Sequence, residues 1–133
     1  MISEGSLGLE FHDSSLHSVD FAGQKCLIAL RPAYVYEVDA HSRDVTGACA
    51  VVDVTFELDH VALEGDLGEL PTPILDGSLI VGSDLHEGLI PAPFESKENL
   101  TMRLYLWPDY REIAISARGL KICLDGVPRP EDS

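Results

Sequence analysis

An adjacent histidine and aspartate, as in His12-Asp13, are residue types that hold a divalent metal, and His17, His86 and Glu87 could complete a zinc or iron set. Phosphohydrolases built on such a pair draw their further ligands from helices, and no helix is predicted here. None of these residues has a recognised ligand spacing. The plainer assignment is that Asp13 or Ser14 caps a turn and that His12 is a hydrogen-bonded, semi-buried imidazole. We therefore expect no bound metal or cofactor, with His12, Asp13, His17 and His86 as the residues a metal site would have to use. No G-x-S-x-G elbow and no glycine-rich phosphate cradle occurs, so no catalytic residue is assigned.

Carboxylates are the other abundant reactive group. The formal net charge is −14, and between Arg43 and Lys97 there is no lysine or arginine. That interval carries Asp44, Asp53, Glu57, Asp59, Glu64, Asp66, Glu69, Asp76, Asp84, Glu87 and Glu95, or −11 of the total. Asp53, Glu57 and Asp59 share one face of a predicted strand, where neighbours two apart are separated by about 6.5–7 Å, too far for that stripe alone to grip one ion. Calcium prefers a tight loop of oxygens, and Glu64 to Glu69 lacks the EF-hand pattern. The stripe is a solvated face or a docking face for a basic protein. Nucleic acid and anionic membranes would be repelled by the same charge.

Tyr105, Trp107 and Tyr110 flank Pro108-Asp109 and should gather at one hairpin end, on its outward face. Exposed aromatics of this kind mark partner or oligomer contacts, unless a second sheet covers them. Cys26, Cys49 and Cys123 are three in number and lack C-x-x-C spacing, so reduced and partly buried thiols are expected.

Strands must position all of these residues. From Ala50 to Asp59 the apolar residues Ala50, Val52, Val54, Phe56 and Leu58 alternate with outward ones, a period of two that a helix would scatter. Leu100 to Leu106 repeats the pattern, Pro108-Asp109 turns the chain, and Ile113, Ile115 and Ala117 return. Leu120 to Leu124 should complete a three-stranded meander. Upstream, Gly23-Gln24 is a turn, and Pro32 should interrupt a strand that resumes at Tyr34 to Val38. Between Pro71 and Phe94, bracketing prolines and an Asp76-Gly77 turn signal suggest short edge strands.

The predicted fold is all-β: an antiparallel β-sandwich or partly open β-barrel of about eight to ten short strands, with at most one helical turn near Asp13-Ser14-Ser15. The length of 133 residues suits one domain over 1–133, with a tail irregular from position 127. Met1 to Ser6 has no basic and apolar leader pattern, and no run approaches the ~18 apolar residues of a membrane span, so a cytoplasmic location is expected.

Phe11-His12-Asp13-Ser14-Ser15-Leu16, Arg31-Pro32-Ala33-Tyr34-Val35, Asp76-Gly77-Ser78-Leu79 and Leu85 to Pro91 together resemble a group of small bacterial all-β proteins of unassigned function. The resemblance implies a stand-alone bacterial cytosolic domain and brings no catalytic residues.

Three functional readings follow. The first is a non-enzymatic acidic domain that meets a basic protein through its 44–96 segment, with Asp53, Glu57, Asp59, Tyr105 and Trp107 as contact residues. Small acidic domains that neutralise a basic toxin or nuclease are the analogy. The second is a small-ligand binder or metal-dependent enzyme using His12, His17 and His86 at a barrel mouth. The third is a homodimer joined through an edge strand or the Trp107 hairpin.

Overall fold

Strand β4 (Val45–Asp59) shows how the alternation is used: Val52, Val54, Phe56 and Leu58 are buried, while Glu57 and Asp59 are exposed and Asp53 and Thr55 lie between. The period-two side chains of a half-buried strand divide in this way. The structure, a computed structural model, describes residues 6–39 and 41–131. Its chain order begins with β1 (Leu7–Glu10), β2 (Ser15–Ala22), β3 (Lys25–Val38) and β4, then β5 (Ala62–Glu64), β6 (Thr72–Val81) and β7 (Asp84–Glu87). There follow β8 (Leu89–Ala92), β9 (Phe94–Ser96), β10 (Leu100–Leu106), β11 (Arg111–Ala117), β12 (Leu120–Leu124) and β13 (Arg129–Pro130).

All pairing is antiparallel, in one open sheet whose main path runs β5-β11-β10-β6-β2-β3-β4-β12-β9. The all-β fold is as predicted, and no helix occurs among the described residues. The sheet joins its two halves through the short β2–β6 ladder, Ser15↔Pro73 and Leu16↔Thr72. Both halves bury side chains in one cluster, in which Phe11 stacks on Phe56 at 6.1 Å between ring centroids. Ile28, Val54, Ile74, Leu104 and Ile113 are completely buried in it. Each such aliphatic side chain stabilises the fold by roughly 1.5–3 kcal/mol.

Several expectations need correction. There are thirteen strands, and two are long: β3 has 14 residues and β4 has 15. The additional strands are short ladders such as β5, β7 and β8, too brief to display a period. Asp76-Gly77 is not a turn; both residues lie inside β6, a strand paired with β10, β2 and β7, and the turn falls at Gly82-Ser83 instead. Glycine is required at 77 for another reason: a Cβ there would stand 2.7 Å from the Phe11 ring. The C-terminal third is a hairpin plus a crossover, not a meander, because β12 leaves β11 and inserts between β4 and β9. Within the expected irregular tail, Arg129 and Pro130 pair with Val51 and Ala50 of β4. Pro32 disturbs the ladder as expected, with a register shift between Leu30 and Ala33, although β3 itself runs through it without a break.

Candidate functional site

Turn chemistry explains the His12-Asp13 pair. Asp13 sits at a φ of 71°, a left-handed position that aspartate tolerates better than most residues. Its Oδ2 lies 3.3 Å from His12 Nδ1, and the two side chains are 60% and 70% exposed. His12 is thus a surface imidazole rather than the semi-buried one expected. The anchor of this turn is Ser14, completely buried, whose hydroxyl donates to the Glu10 carbonyl at 2.6 Å and accepts from the Tyr34 amide at 3.2 Å.

His17 is exposed in β2, beside the register shift between Leu16 and Ser18. His86 lies in β7, edge-on to Phe94 with ring centroids 6.4 Å apart. Among the described residues, no three histidine, cysteine, aspartate or glutamate side chains gather in a way that could hold a metal ion.

The acidic interval is spread over both halves of the sheet. Asp53, Glu57 and Asp59 do lie on the outer face of β4, but folding brings lysines beside them. Lys121 of β12 is opposite Glu57, and Lys25 of β3 is opposite Asp59, with Lys25 Nζ 3.9 Å from Asp59 Oδ1. Glu57 also accepts a weak hydrogen bond from the Cys123 thiol at 3.5 Å. Elsewhere Glu64 is on β5, Asp76 on β6, Asp84 and Glu87 on β7, and Glu95 on β9. Of the eleven carboxylates, Asp59 alone has an ion-pair partner among the described residues.

The β10–β11 hairpin gathers the aromatic residues as expected. Tyr105 and Tyr110 stack with ring centroids 5.2 Å apart, and Trp107 is 55% exposed, so no second sheet covers it. The Tyr105 hydroxyl donates to Glu112 Oε2 at 3.0 Å, and the Tyr110 hydroxyl to Asp76 Oδ2 at 3.3 Å. Arg103 Nη1 lies 3.3 Å from the same Glu112 oxygen. These carboxylates hold the phenols protonated: the Glu112 hydrogen bond raises the Tyr105 pKa, and burial followed by the Asp76 charge raises that of Tyr110. The turn itself is fixed from below, because the Trp107 amide donates to the Pro73 carbonyl at 3.1 Å and the Thr72 hydroxyl to the Trp107 carbonyl at 3.2 Å.

Two features were not read from the sequence. A groove of about 730 Å³ lies where β3 and β4 meet the 127–130 segment, with Leu7, Val35 and Val38 on its apolar side and Glu37 and Arg129 among its charged residues. Cys49 lines it, directly opposite Tyr36 in the ladder. Burial raises the Cys49 thiol above its usual range and the Glu131 and Glu10 charges add to the effect, so it stays protonated at neutral pH and is a poor nucleophile. The second feature is which side stays open on β7, a strand within the interval where short edge strands were expected. Both depend on ladder register, which no local motif reports.

Compared with protein-family models, with curated proteins and with solved structures, the chain matches none.

Proposed function

We propose that this domain is a non-enzymatic acidic binding protein whose partner is a basic protein. The observation that carries the reading is the aromatic platform at the β10–β11 turn, where hydrogen bonds to Asp76 and Glu112 hold the Tyr105–Tyr110 stack and Trp107 stands exposed on a backbone anchored to Thr72 and Pro73. Aromatic faces attract guanidinium and ammonium groups, and carboxylates at their rim complete the recognition of a lysine or arginine. A platform already held by hydrogen bonds loses little freedom on binding.

The remaining carboxylates of the 44–96 segment act at longer range. A charge of −14 draws a basic protein in and accelerates encounter, whereas the platform determines how long the complex lasts. Asp53, Glu57 and Asp59 belong to the steering field, moderated by Lys25 and Lys121.

Association kinetics with a captured basic partner test this division of labour. Changing Asp53, Glu57 and Asp59 to Asn, Gln and Asn should slow association, as should added salt, and leave dissociation almost unchanged. Trp107→Ala should act on dissociation, at a cost of about 2 kcal/mol. An association rate indifferent to salt and to the three carboxylate substitutions, together with a dissociation rate indifferent to Trp107→Ala, would overturn the proposal.

A further inference from the structure

Strand β7 is bonded on one side only. It pairs with β6 through Ser78↔Glu87, Leu79↔His86, Ile80↔Leu85 and Val81↔Asp84, and among the described residues no strand pairs with its other side. The loop between them has two residues, Gly82 and Ser83. In an antiparallel ladder closed by such a loop, Val81 bonds to Asp84 and Leu79 to His86, which turns the amides and carbonyls of Leu85 and Glu87 away from β6.

Beside this edge lies a slot of about 430 Å³, lined by Leu85, His86 and Glu87 of β7 and by Arg43, Leu89 and Phe94. Leu85 is 56% exposed and its cross-strand neighbour Ile80 is 39% exposed, so an apolar pair stands on the outer face next to the open edge. We infer that β7 is a docking edge, to which an extended basic segment of a partner protein adds as a further antiparallel strand. This rests on the basic-partner reading and supplies its mode of attachment.

Charge selects the occupant. Natural edges are shielded by charged side chains, proline or bulges, and β7 has neither proline nor a register shift; its shield is Asp84 and Glu87, both exposed carboxylates. Such a shield repels a second copy of this chain, itself at −14, and attracts lysine and arginine. The guanidinium of Arg43, across the slot, donates to the Leu7 carbonyl at 3.3 Å. Main-chain bonds to Leu85 and Glu87 would supply affinity. The Ile80–Leu85 pair would accept one apolar side chain, and the carboxylates would choose basic neighbours for it.

A titration of the isotope-labelled full chain with a short peptide alternating lysine and valine, followed by amide NMR, tests the inference. Shifts should centre on Leu85, Glu87 and Ile80 and weaken with salt. The same peptide N-methylated at alternate amides should bind about tenfold more weakly or worse, because the added strand loses its donors. Leu85→Pro should have the same effect; Leu85→Lys, which keeps the backbone donor and the hairpin but removes the apolar half of the Ile80–Leu85 pair and sets a like charge against the basic peptide, should also weaken binding, and so guards against a hairpin that Leu85→Pro has simply unfolded. Shifts centred on Tyr105 and Tyr110, equal binding of the methylated peptide, indifference to Leu85→Lys, or no shift at low salt would each overturn strand addition. Shifts at Tyr105 and Tyr110 would leave the basic-partner reading standing and move the segment to the platform, whereas failure of the platform itself is read from the kinetics of Trp107→Ala.

Discussion

At the scale of single residues, Ser14 has the most demanding position. Its hydroxyl joins the Glu10 carbonyl to the Tyr34 amide, its own amide donates to Phe11, and its carbonyl accepts from Ile74, so one buried residue ties β1, β3 and β6 together. Ser14→Ala leaves a part-buried amide and a part-buried carbonyl without the hydroxyl, and should lower the unfolding free energy by about 1 kcal/mol. A urea midpoint unchanged from the parent would show that water replaces the hydroxyl. The sequence marked this place correctly as a turn, since aspartate and serine after a strand favour one. It could not mark the burial, because the amide that completes the Ser14 hydroxyl's bonding comes from Tyr34, twenty positions away. The exposure of His12 is illegible for the same reason: it depends on what packs over the turn, and among the described residues the side chain stays 60% exposed.

Elements were legible wherever one face of a strand meets the core. The alternation appears throughout the β10–β11 hairpin and in β4 from Val52 onward, because burial on one side imposes the period, while Ala50, expected on the buried face, is only partly buried, as is Val51. Between Pro71 and Phe94 the local signal pointed elsewhere. Asp-Gly is a strong hairpin dipeptide, yet Gly77 lies in mid-strand because the Phe11 ring and a Leu104 methyl occupy the space a Cβ would need. Gly77→Ala therefore tests tertiary packing rather than turn propensity. It should destabilise by about 1–3 kcal/mol, since Phe11 is itself buried and cannot swing aside. Were Gly77 needed only for backbone freedom, Phe11→Leu, which vacates part of the ring's space, would not relieve Gly77→Ala. Relief in the double variant, seen as a non-additive gain in stability, is the expected result. The aromatic platform was readable because a hairpin turn is a local object. Short edge strands were expected between Pro71 and Phe94, where β7 lies, but not the β6–β7 hairpin that leaves one side of β7 open. The Cys49 groove was not legible, because it arises where β3 and β4 meet the distant 127–130 segment.

The whole molecule combines a large negative charge with protonation shifts that mostly point one way. Burial raises the Glu10 carboxyl and the Cys26 and Cys123 thiols, while Tyr36 is pushed up to about 12, chiefly by the Cys49 thiol beside its hydroxyl and then by burial. Each of these groups gains charge when it loses its proton, so each shift opposes further negative charge on a chain already at −14. The consequence for stability has a definite sign. In the unfolded chain Tyr36 titrates near its ordinary value of 10, whereas in the fold it keeps its proton to about 12. Between those two values the unfolded state binds fewer protons, so unfolding releases one and becomes easier as pH rises. The contribution is fully present below pH 10 and is lost as pH climbs through 12. Denaturant midpoints measured across that window, under reducing conditions, should fall with pH, and Tyr36→Phe should flatten part of the slope because it removes the titrating group while keeping the ring. High salt should leave the Tyr36 share in place, since its first cause is hydrogen bonding with the neighbouring Cys49 side chain rather than a distant charge. A variant that falls as steeply as the parent would place the alkaline loss in overall charge repulsion, which salt then relieves.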